Sequence, residues 1–219
     1  MKRKSIYNIV IVDDHELFRD GLKFFLTQVS GMKIVGEAAN GADFLKLLKK
    51  VKPDMVLMDI AMPVMDGIEA TRQAIKYFPE LKIVALTGFG DEEYYTKMIQ
   101  AGAVGFILKH AGKEDIETAI HAVMGGSSFI SNEILQNLIL SKSKNGMTLK
   151  ADNQANFSEI EKELLKMTCK GKNDDEISDS LKLDLKTMNE HRNKLLIKTG
   201  SKNAAGLIIY AFKNQLVEI

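Results

Sequence analysis

Val56-Leu57-Met58-Asp59-Ile60-Ala61-Met62-Pro63-Val64-Met65-Asp66-Gly67 joins an apolar run to a carboxylate, and then to a turn marked by proline and Asp-Gly. A short continuous apolar run bounded by turn residues reads as a strand buried on both faces. Similar runs, rich in Val and Ile, lie at 9–12, 33–36, 83–86 and 105–108. Stretches with apolar residues at helical spacing alternate with them, such as Leu17, Leu22, Phe25 and Leu26, or Ile116, Ile120 and Val123. Gly31, Gly41 and Gly125-Gly126 punctuate the units, and Pro53 and Pro79 precede the third and fourth strands. Five strand–helix repeats over residues 6–127 predict an α/β fold: a five-stranded parallel, doubly wound sheet of flavodoxin-like type.

In an open parallel sheet, ligands collect at the carboxyl ends of the strands. Those ends carry Asp13-Asp14, Asp59, Thr87 and Lys109. Each residue alone has an ordinary reading: a strand-end cap, a turn residue, a solvated lysine. All five at strand ends, in this order, make a site. Three crowded carboxylates repel one another and call for a cation. Hard oxygen ligands that leave room for water suit Mg²⁺. Such an ion, with a lysine opposite, neutralises the oxygens of a transferring phosphoryl group. A carboxylate in line can then accept that group as an aspartyl phosphate. Thr87 can hydrogen-bond the added phosphate and so read it out.

Together with the opening stretch, Val10-Ile11-Val12-Asp13-Asp14-His15, Ala85-Leu86-Thr87 and Gly105-Phe106-Ile107-Leu108-Lys109 resemble the receiver domain of bacterial two-component response regulators. The resemblance spans residues 6–127 and implies Asp59 as the phosphoacceptor. It implies Asp13, Asp14, Asp59 and the backbone carbonyl of Ala61 as Mg²⁺ ligands. Thr87 becomes the switch hydroxyl, Phe106 the switch aromatic and Lys109 the phosphate-contacting lysine. A sensor histidine kinase is the implied phosphoryl source. Self-dephosphorylation would be slow, and the protein is not otherwise expected to be an enzyme. Ala61 is small where the family often has a larger residue, which bears on water access and phosphate lifetime.

Residues 128–156 read as a connector, with one short helix over 132–140 and then the polar stretch Ser141-Lys142-Ser143-Lys144-Asn145-Gly146. From Phe157 the pattern is helical only. Ser158 with Glu161 forms a capping box, opening a helix that ends at Lys170-Gly171. Further helices are expected from about Asn173 to Leu181, from an Asp184 cap to Lys198 with Gly200 closing, and over about 203–214. Four short helices make a small all-α domain.

Ile160-Glu161-Lys162-Glu163-Leu164-Leu165, Gly171, Glu176-Ile177 and Lys186-Thr187-Met188-Asn189-Glu190-His191-Arg192 resemble the LuxR/NarL-type helix-turn-helix output domain over residues 157–217. The resemblance implies that the helix after Asp184 enters the major groove of double-stranded DNA. Lys186, Thr187, Asn189, Glu190, Asn193 and Lys194 are its candidate contacts, Asn suiting adenine and Glu suiting cytosine. The chain departs from that family at Asn173-Asp174-Asp175, where a serine, an asparagine and a lysine are usual. Two acids beside the phosphate backbone would weaken binding and flatten its salt dependence. Leu207, Ile208, Ala211 and Phe212 offer a dimer surface, so that two output domains could grip paired half-sites on activation. His191 has a backbone-contacting or packing reading, and Cys169 that of a small helix residue.

Of the 219 residues, 45% are hydrophobic and 27% charged, and 30 Lys+Arg nearly cancel 29 Asp+Glu. Bulk charge therefore carries no argument for nucleic acid or membrane. From Lys150 onward, 12 basic residues meet 11 acidic ones, a net of +1. A single cysteine rules out an intramolecular disulfide or a cysteine metal site and fits a reducing cytoplasm. The basic start is followed by an apolar run that stops at two aspartates, too short for a signal core. No segment is long and apolar enough to span a bilayer. Two other functions compete: a receiver-controlled module whose output domain contacts a protein, and a phosphatase with Asp59 as nucleophile. The phosphatase reading needs a second acid two residues on, where this chain has Ala61.

Overall fold

The computed structural model describes residues 6–88, 92–144 and 156–217. The chain divides into two compact units, Met1–Met124 and Gly125–Ile219. The first alternates β1 (Tyr7–Val12), α1 (Glu16–Gln28), β2 (Met32–Ala38), α2 (Gly41–Leu47), β3 (Met55–Asp59), α3 (Gly67–Tyr77), β4 (Lys82–Thr87), α4 (Glu92–Ala101), β5 (Gly105–Leu108) and α5 (Lys113–Met124). The strands pair in parallel, with β1 between β2 and β3, and β4 between β3 and β5. One correction concerns the strand count. The sheet order is β2-β1-β3-β4-β5-β6, six strands instead of five, and the added β6 has only the two residues Phe129–Ile130. Two residues leave no periodicity to read.

Burial follows position in the sheet. Every residue of β3 and β5 is buried, whereas β2, at an edge, is buried only at its two ends. Leu22 and Leu26 carry the buried side of α1. Leu17, which the sequence groups with them, is 86% exposed, because five residues before Leu22 falls on the far side of the helix.

The turn after β3 is the most constrained segment of this unit. Val64 takes φ +67°, a region β-branched residues rarely enter. Met65 N–H donates to Pro63 O at 2.7 Å, closing a three-residue turn. Such strain persists only where neighbours over-determine it. Here the Gly41 N–H donates to Met65 O (3.0 Å) and the Gly67 N–H to Ile60 O (2.9 Å). Gly67 is required for space: a Cβ there would lie 1.9 Å from Asp59 O. Asp66, next to it, caps α3 by accepting from Glu69 N–H at 2.8 Å. The Asp-Gly pair thus starts the helix and lets it press on the peptide of Asp59.

The second unit contains α6 (Asn132–Lys144), α7 (Glu159–Cys169), α8 (Asp174–Leu181), α9 (Leu185–Thr199) and α10 (Ala204–Lys213). Helix α6 runs to Lys144, past the expected end at 140, because Ser141-Lys142-Ser143-Lys144 holds no helix breaker. The rest of the expected linker, 145–155, lies outside the described residues. Complete capping boxes open α7 (Ser158 with Glu161) and α8 (Asn173 with Glu176). Asp184 caps α9, and Gly200 closes it in the left-handed region. Leu164, Leu165, Ile177, Met188, Leu195, Leu207 and Ala211 form the core. At roughly 1.5–3 kcal/mol per large buried side chain, so few of them leave little margin.

A second correction concerns α10. Leu207, Ile208, Ala211 and Phe212, expected as a dimer surface, are all buried, and α10 packs on α6, α7 and α9. The helix is apolar nearly all round, so α6 can cover the side that the α7–α9 core leaves open. No helix among the described residues is long and apolar enough to cross a membrane.

Replacing Gly67 by Ala should cost about 1–3 kcal/mol of stability from overpacking against the Asp59 carbonyl. Gly21 has open space around it, so Gly21→Ala inside α1 should gain about 0.5–1 kcal/mol. Urea unfolding of both variants checks the pair; similar midpoints would contradict the close approach at Gly67.

Candidate functional site

Parallel strands end together, and the ends of β1, β3, β4 and β5 bring the polar residues to one edge. Asp13 is fully buried and Asp59 nearly so, while Asp14 is partly exposed. Lys109 Nζ bridges Asp13 Oδ2 at 2.7 Å and Asp59 Oδ2 at 2.9 Å. Below the ammonium lies the Phe18 ring, 5.3 Å from Nζ to centroid. His15 adds a second nitrogen: its N–H donates to Asp13 Oδ1 (2.9 Å), and its Nδ1 lies 2.9 Å from Asp14 Oδ1. Arg19 Nη1 donates to the Asp13 carbonyl at 2.7 Å, a contact absent from the sequence reading although Arg19 faces back one helical turn.

Burial pushes the Asp59 carboxyl above its ordinary range. The Lys109 hydrogen bond pulls it down, the Asp13 charge pushes it up again, and the net direction is upward. For Lys109, burial works against the charge, but its bonds to Asp13 and Asp59 outweigh it and hold the ammonium above the usual lysine range. The two shifts differ in cause: burial leads for Asp59, and the bonds to Asp13 and Asp59 raise Lys109.

Ligand atoms of Asp13, Asp14, His15 and Asp59 all lie within 4.8 Å of one another. Asp13 Oδ2 and Asp59 Oδ2 are buried against the Lys109 ammonium and Asp14 Oδ1 against the His15 ring, with no further hydrogen-bond donor among the described residues. Carboxylate oxygens left so are the donor set of a hard divalent cation. The residues present fit one.

Thr87 is buried at the end of β4, and its carbonyl accepts from Lys109 N–H at 2.7 Å. Phe106 is not at the acidic edge. It pairs in register with Ala85 and lies fully buried, edge-on to Tyr95 at 5.4 Å. Residues two apart share a face, so Thr87 and Phe106 lie on the same side of the sheet. Ala61 is exposed in the loop that follows β3.

In the second unit, Lys186, Asn189, Glu190, Asn193 and Lys194 are all exposed along α9. Thr187 differs: its N–H and Oγ1 both bond the Asp184 carboxylate, at 2.8 and 2.9 Å. Asp174, expected with Asp175 beside the DNA phosphates, accepts from Arg192 Nη1 at 2.6 Å while its side chain stays 43% exposed. Lys198 Nζ donates to Glu161 at 2.6 Å. Burial drives the Glu161 carboxyl up, but Lys198 and the Ser158 N–H hold it below its usual range. His191 is half-buried, with Nδ1 lacking a partner, as in a packing role. Burial raises the Cys169 thiol to about 12, so it is inert.

Two family patterns match the chain. The response regulator receiver domain covers residues 9–121, and the luxR family of bacterial regulatory proteins covers residues 155–211. The response regulator GacA of Pseudomonas aeruginosa is 35% identical over 96% of this chain and 97% of its own length. The response regulator protein VraR of Staphylococcus aureus is 32% identical over 96% and 98%. Among solved structures, the RcsB response regulator of Salmonella typhimurium, studied for conformational dynamism in DNA interaction, matches with a TM-score of 0.59 and 25% identity. That match covers 94% of this chain and 98% of that one. The acidic edge of the first unit and the capped helices of the second are those of one family: the chain is a two-component response regulator of the LuxR/NarL type, a receiver domain followed by a LuxR-type DNA-binding domain.

Proposed function

We propose that the protein is a switch in which phosphorylation of Asp59 by a sensor histidine kinase controls sequence-specific binding of double-stranded DNA. The observation that carries this reading is the Asp59 carboxylate itself, buried at the end of β3, 2.9 Å from Lys109 and within ligand reach of Asp13 and Asp14. Asp13, Asp14, Asp59 and the Ala61 carbonyl would hold Mg²⁺, which supplies charge neutralisation for the incoming phosphoryl oxygens. An Asp59 oxygen attacks phosphorus, the bond to the kinase histidine nitrogen breaks, and the phosphoryl group stays on Asp59. Lys109 turns from its two carboxylates to a phosphoryl oxygen. The Thr87 hydroxyl donates to another, and the shift passes to Phe106 and Tyr95 on the same face.

The output face is Lys186, Asn189, Glu190, Asn193 and Lys194, with Thr187 contributing through the cap of α9 rather than through a free hydroxyl. Support comes from their exposure along one helix and from the likeness to RcsB, whose structure concerns DNA interaction. Dimerisation on activation would let two output domains grip paired half-sites, through a surface other than the buried side of α10.

With Mg²⁺ and a small phosphodonor, mass spectrometry should find one added phosphate on the wild type and none on Asp59→Asn; equal labelling would remove Asp59 as acceptor. Stability against pH gives a second test. Because the Asp59 carboxyl is raised in the folded state, its ionisation costs stability as pH rises from the ordinary carboxylate range through the folded value. In chelator, Asp59→Asn should therefore melt higher than wild type at neutral pH, with the gain vanishing in acid, and Mg²⁺ should narrow the gap by stabilising wild type. A wild type that melts higher in chelator at neutral pH would contradict the raised Asp59 carboxyl, whose leading cause is burial. For the output, Lys186→Ala and Lys194→Ala should each flatten the slope of log affinity against log salt by about 0.9, read by mobility shift. A flat wild-type slope with no protected site would favour a protein-contacting output domain.

A further inference from the structure

Only two side chains of the fifteen-residue α9, Met188 and Leu195, are buried. They are seven residues apart along one seam, with the partly buried Leu196 packed against the same core at its edge. Two ion pairs flank that seam. At about 100° per residue, Arg192 lies about 50° to one side and Lys198 about 70° to the other. Arg192 reaches Asp174 at the start of α8, and its side chain is only 16% exposed. Lys198 reaches the buried Glu161 of α7 and the Asn156 carbonyl. The face with Lys186, Asn189, Glu190 and Asn193 lies opposite the seam, so any roll of α9 re-aims it.

We propose that Asp174 and Arg192 are a positioning pair that sets the roll of α9 and thereby the sequence that the protein selects. The proposal rests on the DNA-binding reading above. It also reverses the meaning of the acid at 174: bound to Arg192, it braces the reading helix from beside it, and the Arg192 charge faces inward to meet it. Asp175, exposed and in no described ion pair, is left as the acid that faces solvent. The bridge is a single charge-assisted hydrogen bond, Arg192 Nη1 to Asp174 Oδ1 at 2.6 Å, which a neutral amide at 174 would weaken.

The test uses the full-length chain treated with Mg²⁺ and phosphodonor. Wild type first selects a preferred site from a pool of randomised duplexes. Affinities for that duplex and for a scrambled one are then measured at several salt concentrations for wild type, Asp174→Asn and Asp174→Glu. Asp174→Asn should lose about tenfold in preference for the selected duplex, with its scrambled-duplex affinity and salt slope unchanged. Asp174→Glu should recover most of the preference. If Asp174→Asn tightens on both duplexes with a steeper slope, Asp174 merely repels phosphates and the proposal is wrong. Parallel loss on both duplexes, unrelieved by Asp174→Glu, would mean general damage to the domain and would overturn it as well. A wild type that selects no sequence would contradict the DNA reading itself, an outcome read before any variant is made.

Discussion

Negative charge at the carboxyl edge of the sheet is the constraint on which the rest of the structure depends. Asp13, Asp14 and Asp59 meet one lysine, and Lys109 answers only two of them. In water this crowding would cost little. Where Asp13 and Asp59 are almost wholly buried, each added negative charge works against the fold until a cation relieves it. The fold tolerates the conflict because the backbone holds the carboxylates from behind: Gly67 presses on the Asp59 peptide, Arg19 on the Asp13 carbonyl, and the Val64 turn is pinned by Gly41. A pocket balanced in this way responds strongly to one more charged group.

The second unit handles charge differently. Its acids and bases are paired off across helices, Glu161 with Lys198 and Asp174 with Arg192, so its small net charge is distributed inward and the exposed side of α9 keeps Lys186 and Lys194. Near-neutral composition and a face able to meet phosphate are therefore compatible. The apolar α10 shows the same economy: sides that would be exposed in an isolated four-helix domain are covered by α6.

Much of this was legible in the sequence because the chemistry is local. Apolar runs that end in Asp, Thr or Lys mark strand ends whatever the rest of the chain does, and Ser158 with Glu161 or Asp184 with Thr187 act over three residues. What was not legible depends on partners far along the chain or on a residue's side of an element. Asp174 and Arg192 are 18 residues apart, and no spacing rule joins them. Leu17 looks like a core position until its angle from Leu22 is taken into account. Phe106 stands next to the site in sequence, yet it packs on Tyr95 beneath the sheet end. The burial of α10 needs α6, which lies beyond the stretch that marks the helical domain.

Coupling between the two units is the account's central claim, and DNA affinity measured with and without phosphodonor tests it most directly. Wild type and Asp59→Asn would be titrated against the same selected duplex in Mg²⁺. The account predicts that phosphodonor changes the affinity of the wild type and leaves Asp59→Asn where it was. An identical response in both proteins, or a phosphorylated wild type whose affinity does not move, would contradict it.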